Sequence, residues 1–494
     1  MCFYDHYSPR FRLKLLSPPA NSKKLRVGDL YPCGAPTLQL LKTLTTTPHL
    51  LQSTVARCTD ILRLATDKLH AFPYREVPLC WLRLYTDVSI LKGVYLVQKL
   101  FSVRDADGVR RADEEIVRTL DMALIMAGAP GNGRREVIEK ILAELEGYVE
   151  AFLAVHGGEV MEGVEMNGVG GKGKGKGKGK VEKTRANGDR EGEAGGEDGE
   201  ASRRKRRRLT TPPPSLLPQG FRASSTPSPK ITHQIPIRPT PPSLGFFQHH
   251  LNTANTPLQI QNLLTAWPAA TTNPWSSPSY LLSKTHFGTR LVPIELGKSY
   301  TVENWSQKIM PFRDFLRTYI LSPGADGSSY PGYLAQHSLF SQIPSLREDI
   351  LTPDYCYTTP PPGPPSVRTH PLEGPIVNAW FGPAGTVSPL HTDPYANVLC
   401  QVLGRKYVRL YPPSESEKLF PRGVEGGGVD MSNTSRVDMD AEGGGVEVEE
   451  WERFQGARYL EGVLRTGEGL FIPAGWWHYV RSLDTSFSVS FWWN

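Results

Sequence analysis

WFGPAGTVSPLHTDPYANVLCQVLGRKYVRLY, running from Trp380 to Tyr411, carries His391 and Asp393 as an H-x-D pair, with Lys406 in the apolar stretch behind them. Residues two apart on a β-strand project to the same side, so an imidazole and a carboxylate converge on one point. That is two thirds of a 2-His-1-carboxylate metal site. The third member is expected in GEGLFIPAGWWHYVRSL, where His478 follows a P-A-G turn and two tryptophans, 87 residues downstream. H-x-D alone is common, and a histidine beside aromatics is usually packed and hydrogen-bonded in a core. Their conjunction makes a facial triad that leaves positions open on the metal, as non-haem Fe(II) sites require. Zinc hydrolysis is the competing chemistry for two histidines and an aspartate.

Lys406 weighs between the two. It shares strand parity with Val408 and Leu410, so it should face inward with them. A buried lysine needs an anion, which an acidic cosubstrate chelating the metal by its other end would supply. Plain zinc hydrolysis leaves that lysine unexplained, and the chain has no H-E-x-x-H motif. A lysine snorkelling at a barrel rim is the structural alternative.

Around this stretch, from Ile231 to Asn494, short β-branched and aromatic runs alternate with Gly and Pro turns. Strands are expected at 289–296, 375–382, 399–411, 469–473 and 486–493, which suggests an antiparallel sandwich or barrel. Helices are expected at Asn304–Leu321 and Leu334–Ile343. The Gly-rich acidic segment 423–452 reads as a surface insertion, cheap to loop out.

Upstream the character is different. From Pro36 to His156 apolar residues recur at helical spacing, with Pro48 as a break. Residues 79–101 are apolar nearly all round and read as a buried helix, 112–126 give another, and Arg134–Val155 carries a stripe of Ile138, Ile141, Leu142, Leu145, Val149 and Phe152. This makes a helical domain over 1–156, for which a scaffold or partner-binding role is the plain reading. Residues 157–230 are low complexity, with GGKGKGKGKGK, an acidic run and RRKRRR at Arg203–Arg208, and are expected to be a disordered linker. The basic run fits a nuclear import signal, so nucleus or cytoplasm is the expected location.

The chain's 494 residues suggest two or three domains. Its net charge of +6 is concentrated: residues 170–209 hold 14 Lys and Arg against 7 Asp and Glu, so no specific nucleic-acid-binding fold is implied. Six cysteines with no C-x-x-C pair indicate neither a zinc module nor a disulfide framework, and suggest a reducing, intracellular setting. The most apolar window, Pro78–Phe101, is interrupted by Arg83, Asp87 and Lys92, so no membrane span is expected.

Long segments carry a resemblance more specific than the metal motif. GYLAQH (332–337), TPDYC (352–356), NAWFGPAGTVSPLHTDPYANVL (378–399), GRKYVRLY (404–411) and FIPAGWWHYVRSLDTSFSVSFWWN (471–494) resemble the JmjC-domain family of Fe(II)- and 2-oxoglutarate-dependent oxygenases. The likeness is nearest to a short branch described both as lysine demethylases and as arginyl hydroxylases, and it covers roughly Ile231–Asn494. It implies an α+β protein: a double-stranded β-helix (jelly roll, cupin) behind an α-helical domain. It further implies that iron is held by His391, Asp393 and His478. The 2-oxoglutarate carboxylate would sit on Lys406, with Tyr333, Ser388 and Asn397 assisting and Trp380 and Trp492 lining the pocket. Glu295 and Trp305 would match the branch's substrate-binding residues. With O2 as the second cosubstrate, the implied reaction is hydroxylation of a protein or peptide side chain carrying arginine or methyl-lysine, on a histone or ribosomal protein. A stable alcohol results at an arginine stem carbon, and loss of a methyl group at N-methyl-lysine; the same residues serve both. A catalytically silent cupin scaffold is the remaining alternative.

Overall fold

The computed structural model describes residues 27–46, 51–73, 76–156, 217–221, 226–301, 305–323, 331–363, 369–426 and 428–494. Pro48, Arg203–Arg208 and most of 157–230 lie outside the described residues.

A short 3-10 turn, Val27–Cys33, precedes five helices: α1 (Ala35–Thr46), α2 (Leu51–His70), α3 (Leu79–Leu100), α4 (Ala106–Ala127) and α5 (Arg134–Val155). α3 lies between α2 and α4, and is buried around most of its circumference at Leu84, Val88, Leu91, Tyr95 and Leu100. Its buried Asp87 is paired, with Arg134 Nε at 2.8 Å and Arg83 Nε at 3.4 Å, as a charge inside a core must be. α4 begins six residues before the sequence suggests, because Asp105 caps it: its carboxylate accepts the Gly108 N–H at 2.7 Å. In α5 the innermost positions are Ile138, Ile141, Leu142, Leu145, Val149 and Leu153. Phe152 instead stands half-buried at the rim, stacked on His156 at 4.0 Å between ring centroids. Among the described residues no helix is long and apolar enough to cross a membrane.

Thirteen strands follow: β1 (Ile237–Arg238), β2 (Leu258–Ile260), β3 (Leu291–Leu296), β4 (Ser306–Pro311), β5 (Gly332–His337), β6 (Ile376–Gly382), β7 (Val387–Thr392), β8 (Ala396–Leu403), β9 (Arg405–Tyr411), β10 (Leu460–Arg465), β11 (Gly469–Ile472), β12 (Trp477–Ser482) and β13 (Ser486–Trp493). They form a nine-stranded sheet, β1-β2-β11-β8-β13-β6-β5-β3-β4, and a four-stranded sheet, β10-β9-β12-β7. Strands β6 to β13 divide evenly between the two and pair antiparallel throughout, which makes the jelly roll of a cupin. Between the sheets lies an apolar layer of Leu399, Val408, Leu410, Leu464, Ile472 and Val480. The larger core, with Phe247, Trp275, Phe381, Phe487 and Phe491, packs on the other face of the nine-stranded sheet, under the helices Leu244–Asn252 and Pro278–Lys284.

Three expectations change. The apolar run 399–411 is two strands, because Gly404 turns the chain back at φ +76. A Cβ there would meet the Thr485 carbonyl oxygen at 2.2 Å. Gly404→Ala is therefore expected to destabilise the jelly roll by about 3 kcal/mol or more; a urea melt within about 1 kcal/mol of the parent would refute this account of the turn. The expected helix 304–321 is instead strand β4 followed by a short helix, Phe312–Phe315, and a π-helical turn, Leu316–Leu321. Pairing with β3, Leu291↔Pro311 through Leu296↔Ser306, overrides the helical spacing of its apolar residues. In 334–343, likewise, β5 occupies the first part and only Leu339–Gln342 is helical.

Candidate active site

His391 is the fifth residue of β7, and Asp393 follows one residue after that strand's end. β12 lies alongside β7 with His478 directly opposite His391. The ligand atoms of His391, Asp393 and His478 all fall within 4.8 Å of one another. His391 Nε2 is 3.8 Å from Asp393 Oδ1 and His478 Nε2 is 3.4 Å from Asp393 Oδ2. The other ring nitrogen of each histidine faces a carbonyl: His391 Nδ1 with Pro389 O at 2.7 Å, His478 Nδ1 with Trp476 O at 3.0 Å. A carbonyl can only accept, so each Nδ1 carries the proton and each Nε2 turns its lone pair to the common point. This is the outer-shell arrangement that prepares an imidazole for a metal.

At His391 the electrostatics agree with that tautomer, while at His478 the neighbouring carboxylate favours the protonated ring, whose added proton a bound metal would displace. Burial, helped by the adjacent His478, pulls His391 down to about 4, so it is neutral at physiological pH. Burial works against ionisation of Asp393, but the two histidines outweigh it and keep its carboxyl below the ordinary value. At His478 burial opposes protonation and the Asp393 carboxylate more than offsets it. A neutral imidazole and an ionised carboxylate are the forms that bind a divalent ion.

The triad opens on a cleft of about 350 Å³ between the sheets, lined also by Tyr333, Trp380, Ser388, Asn397 and Lys406. Lys406 is 2% exposed and occupies the inner face of β9 with Val408 and Leu410. Its ammonium donates to the Tyr333 hydroxyl at 3.2 Å, and among the described residues no carboxylate pairs with it. Burial lowers it to about 7. Ser388 reaches the Tyr333 hydroxyl, while burial keeps that phenol well above its usual range and therefore protonated. An ammonium and two hydroxyls thus converge with no anion among the described residues to receive them. Asn397 is 4% exposed and its side-chain oxygen has no partner among the described residues; turned over, the amide would present its NH2 to a bound carboxylate. The donor set fits a divalent metal and a carboxylate-bearing small molecule side by side.

Trp492, expected at the same pocket, is buried on the face of β13 that also carries Ser490, opposite Asn397, with its ring 6.1 Å from Tyr395 and its indole N–H without a partner among the described residues. Glu295 and Trp305 lie in a neighbouring hollow of about 240 Å³ that shares Tyr333 as a wall with the first. Glu295 is opposite Tyr333 across the β3–β5 pair. Burial pushes its carboxyl up, and the Trp305 indole pulls the other way without completing a well-formed hydrogen bond.

Sequence reasoning passed over Leu399, Ile472, Val480 and Ser490, the remaining walls of the cleft. Strand parity with Asn397, His478 and Trp492 respectively marks Leu399, Val480 and Ser490. It also passed over Tyr300, which packs near both Glu295 and Asp393 and is pushed up to about 12, chiefly by burial. The acidic insertion is not simply looped out. Asn433 exchanges hydrogen bonds with Thr392, at 2.8 and 3.2 Å, Thr434 bridges to His391, and Lys298 pairs with Asp438 at 2.6 Å. It therefore covers the outer edge of β7, which would otherwise expose unpaired backbone beside the site.

A jelly roll that gathers two histidines and an aspartate at the mouth of an inter-sheet cleft defines the cupin class of metal-site proteins. Residues 243–494, half of this chain, match the family described as cupin-like domain, and the chain belongs to it. Several of its relatives carry JmjC or Jumonji C in their names. Over 256 residues it is 43% identical to "Lysine-specific demethylase 8" of Xenopus tropicalis, a match covering 51% of each chain. It is 44% identical over 253 residues to the protein of the same name in Danio rerio, covering 51% of this chain and 57% of that one. A more distant relative is "Bifunctional peptidase and (3S)-lysyl hydroxylase JMJD7" of Homo sapiens, 25% identical over 295 residues, or 53% of this chain and 84% of that protein. The chain thus spans about half the length of the demethylase-8 relatives it matches.

Proposed function

We propose that this protein is an Fe(II)- and 2-oxoglutarate-dependent oxygenase that hydroxylates a protein side chain, and that the side chain is arginyl. The observation that carries the first part is the buried, carboxylate-free ammonium of Lys406 in the same cleft as the His391–Asp393–His478 cluster. Hydrolysis at a zinc centre has no use for it. When bound, iron and 2-oxoglutarate would supply, with O2, an oxidant strong enough for an unactivated C–H bond.

The chain's residues do the rest. His391, Asp393 and His478 would hold the metal through Nε2, a carboxylate oxygen and Nε2, with both imidazoles fixed by backbone carbonyls. Lys406, Tyr333 and Ser388 would bind the far carboxylate of the cosubstrate, with Asn397 as a further donor and Trp380 as a wall. Leu399, Ile472 and Val480 exclude water from the inner part of the cleft.

The arginyl assignment rests on Glu295, a half-buried carboxylate beside the Trp305 ring in a hollow that adjoins the cleft. A guanidinium pairs with a carboxylate in a fork and lies flat on an indole. The rival reading, an N-methyl-lysine demethylase acting on a histone, is favoured by the demethylase names of the relatives. Mass spectrometry separates the two, given Fe(II), 2-oxoglutarate and peptides from basic histone and ribosomal tails. Arginyl hydroxylation adds the mass of one oxygen atom to an arginine-containing fragment, and demethylation removes that of one methylene from a methyl-lysine fragment. Gain of oxygen on lysine, or loss of methylene only, defeats the arginyl assignment. We further propose that it acts in the nucleus, the cytoplasm or both, with Arg203–Arg208 as a candidate import signal.

A further inference from the structure

The β3–β4 hairpin carries Glu295 on one arm and has Trp305 immediately before the other, so both substrate candidates stand at one end of it. Among the described residues only that end pairs with the rest of the nine-stranded sheet, through Glu295↔Tyr333 and Leu296↔Gly332. From Leu291 to Ile294, β3 is paired to β4 alone. The base of the hairpin is buried in the larger core through Val292, Ile294 and Met310, and backbone pairing there leaves room for a second, polar support.

The helical domain provides it. The Leu291 N–H donates to Asp121 Oδ2 at 2.7 Å, and Asp121, in α4, is fully buried. Arg290 grips the same carboxylate through Nε at 2.9 and 3.0 Å and Nη2 at 2.7 Å. Gln342 completes the hold, donating to the Leu291 carbonyl at 2.9 Å and accepting from Arg290 at its own carbonyl at 2.7 Å. Two helical turns earlier on α4, Asp113 faces His286 Nε2 at 2.8 Å, both buried. Glu114 pairs with Arg313 just past β4. To make these contacts the chain takes left-handed backbone at two successive non-glycine residues, His286 (φ 52) and Phe287 (φ 53). Such strain persists only where the surroundings over-determine it.

We infer that Asp121 is a positioning residue for substrate recognition: by clamping the base of the β3–β4 hairpin, the helical domain sets where Glu295 and Trp305 stand. This rests on the reading that those two residues receive the side chain to be oxidised. Leu291 to Glu295 spans about 13 Å of strand, so a tilt of about 5° at the base displaces the far end by about 1 Å, enough to degrade a reacting geometry. Asp121 touches neither the metal cluster nor the Lys406 cradle, so it acts on one ligand and not the other.

The test uses the full chain loaded with Mn(II), which does not turn over, and compares Asp121→Asn with the double variant Asp121→Leu/Arg290→Met. The second removes the ion pair as a unit and leaves no stranded charge to unfold the protein. Amide hydrogen exchange is read in 291–296 and 306–311, and affinities are measured for N-acetyl-arginine amide and for 2-oxoglutarate. Exchange in the hairpin should quicken about tenfold or more, arginine-amide affinity should fall about tenfold or more, and 2-oxoglutarate affinity should hold within about twofold. A purely structural joint would lower the melting temperature and leave hairpin exchange and arginine-amide affinity at parental values in the folded variants. That result overturns the inference. If the parent itself does not bind arginine amide, the arginyl assignment fails separately, and hairpin exchange alone decides the clamp: faster exchange upholds it and unchanged exchange overturns it.

Discussion

Lys406→Met is expected to make the cofactor-free protein more stable and to abolish its affinity for 2-oxoglutarate. The two effects have one cause. Lys406 is 2% exposed, donates to the Tyr333 hydroxyl at 3.2 Å, and has no carboxylate partner among the described residues. Burial alone brings it from 10.5 to about 7. Between about pH 7 and 10 the unfolded chain therefore holds the proton more tightly than the folded one, and stability rises with pH across that window. Below about pH 7 both states are protonated and the folded state bears the full cost, about 2–5 kcal/mol after allowance for relaxation. Methionine keeps the volume and removes that cost, so the melting temperature at pH 6–7 should rise by roughly 5 °C or more. The pH-dependence of stability between about 7 and 10 should flatten with it.

The same substitution removes the cation that meets the cosubstrate's far carboxylate. Losing a charge-assisted contact in a closed site costs about 2–4 kcal/mol, or about 30- to 1,000-fold in affinity. In the parent, binding must restore the proton to Lys406, so 2-oxoglutarate affinity should fall up to tenfold per pH unit above about pH 7. Differential scanning calorimetry and titration calorimetry against pH test both halves. A variant that is less stable than the parent and binds 2-oxoglutarate equally well would remove Lys406 from the site and weaken the oxygenase reading with it.

How far the sequence told this in advance depends on how local each signal was. Parity along one strand placed Lys406 inward with Val408 and Leu410, and it stands there. H-x-D spacing brought His391 and Asp393 together, although Asp393 lies past the end of β7 and not on it. The cupin jelly roll was legible from its short strands and family segments, yet β10 was not, and β7 only through the strand spacing of its H-x-D pair. VSPLHT carries a proline and LEGVLR a glycine, residues that usually mark turns. The helix expected at 304–321 failed because its apolar residues suit both periods, and only contact with β3 decides between them. Asp121 was illegible for a different reason. An aspartate on an amphipathic helix reads as solvated, and its partners Arg290 and Leu291 are some 170 residues away in the chain.

His391→Ala tests the centre itself. In the parent, His391 is neutral at pH 7, pulled down to about 4 by burial, and its Nδ1 proton is tied to the Pro389 carbonyl at 2.7 Å. Nε2 is therefore available to a metal without first releasing a proton or rotating the ring. Disturbing only the outer shell of such a ligand typically costs 10–100-fold in metal affinity or activity, so deleting the ligand should cost about 10³-fold or more. Fe(II)- and 2-oxoglutarate-dependent succinate release should become undetectable. Mn(II) affinity, measured against a competing chelator so that the readout does not depend on turnover, should fall in parallel. The apo fold should survive, because the backbone pairing of His391 with His478 and Thr434 does not need the imidazole, whose bond to the Pro389 carbonyl is local, and Leu390 beside it carries the packing of β7. Loss of turnover with metal affinity intact would mean that His391 serves the reaction without holding the metal. Succinate release at the parental rate would place the iron elsewhere, and with it every role assigned here to the cleft between the sheets.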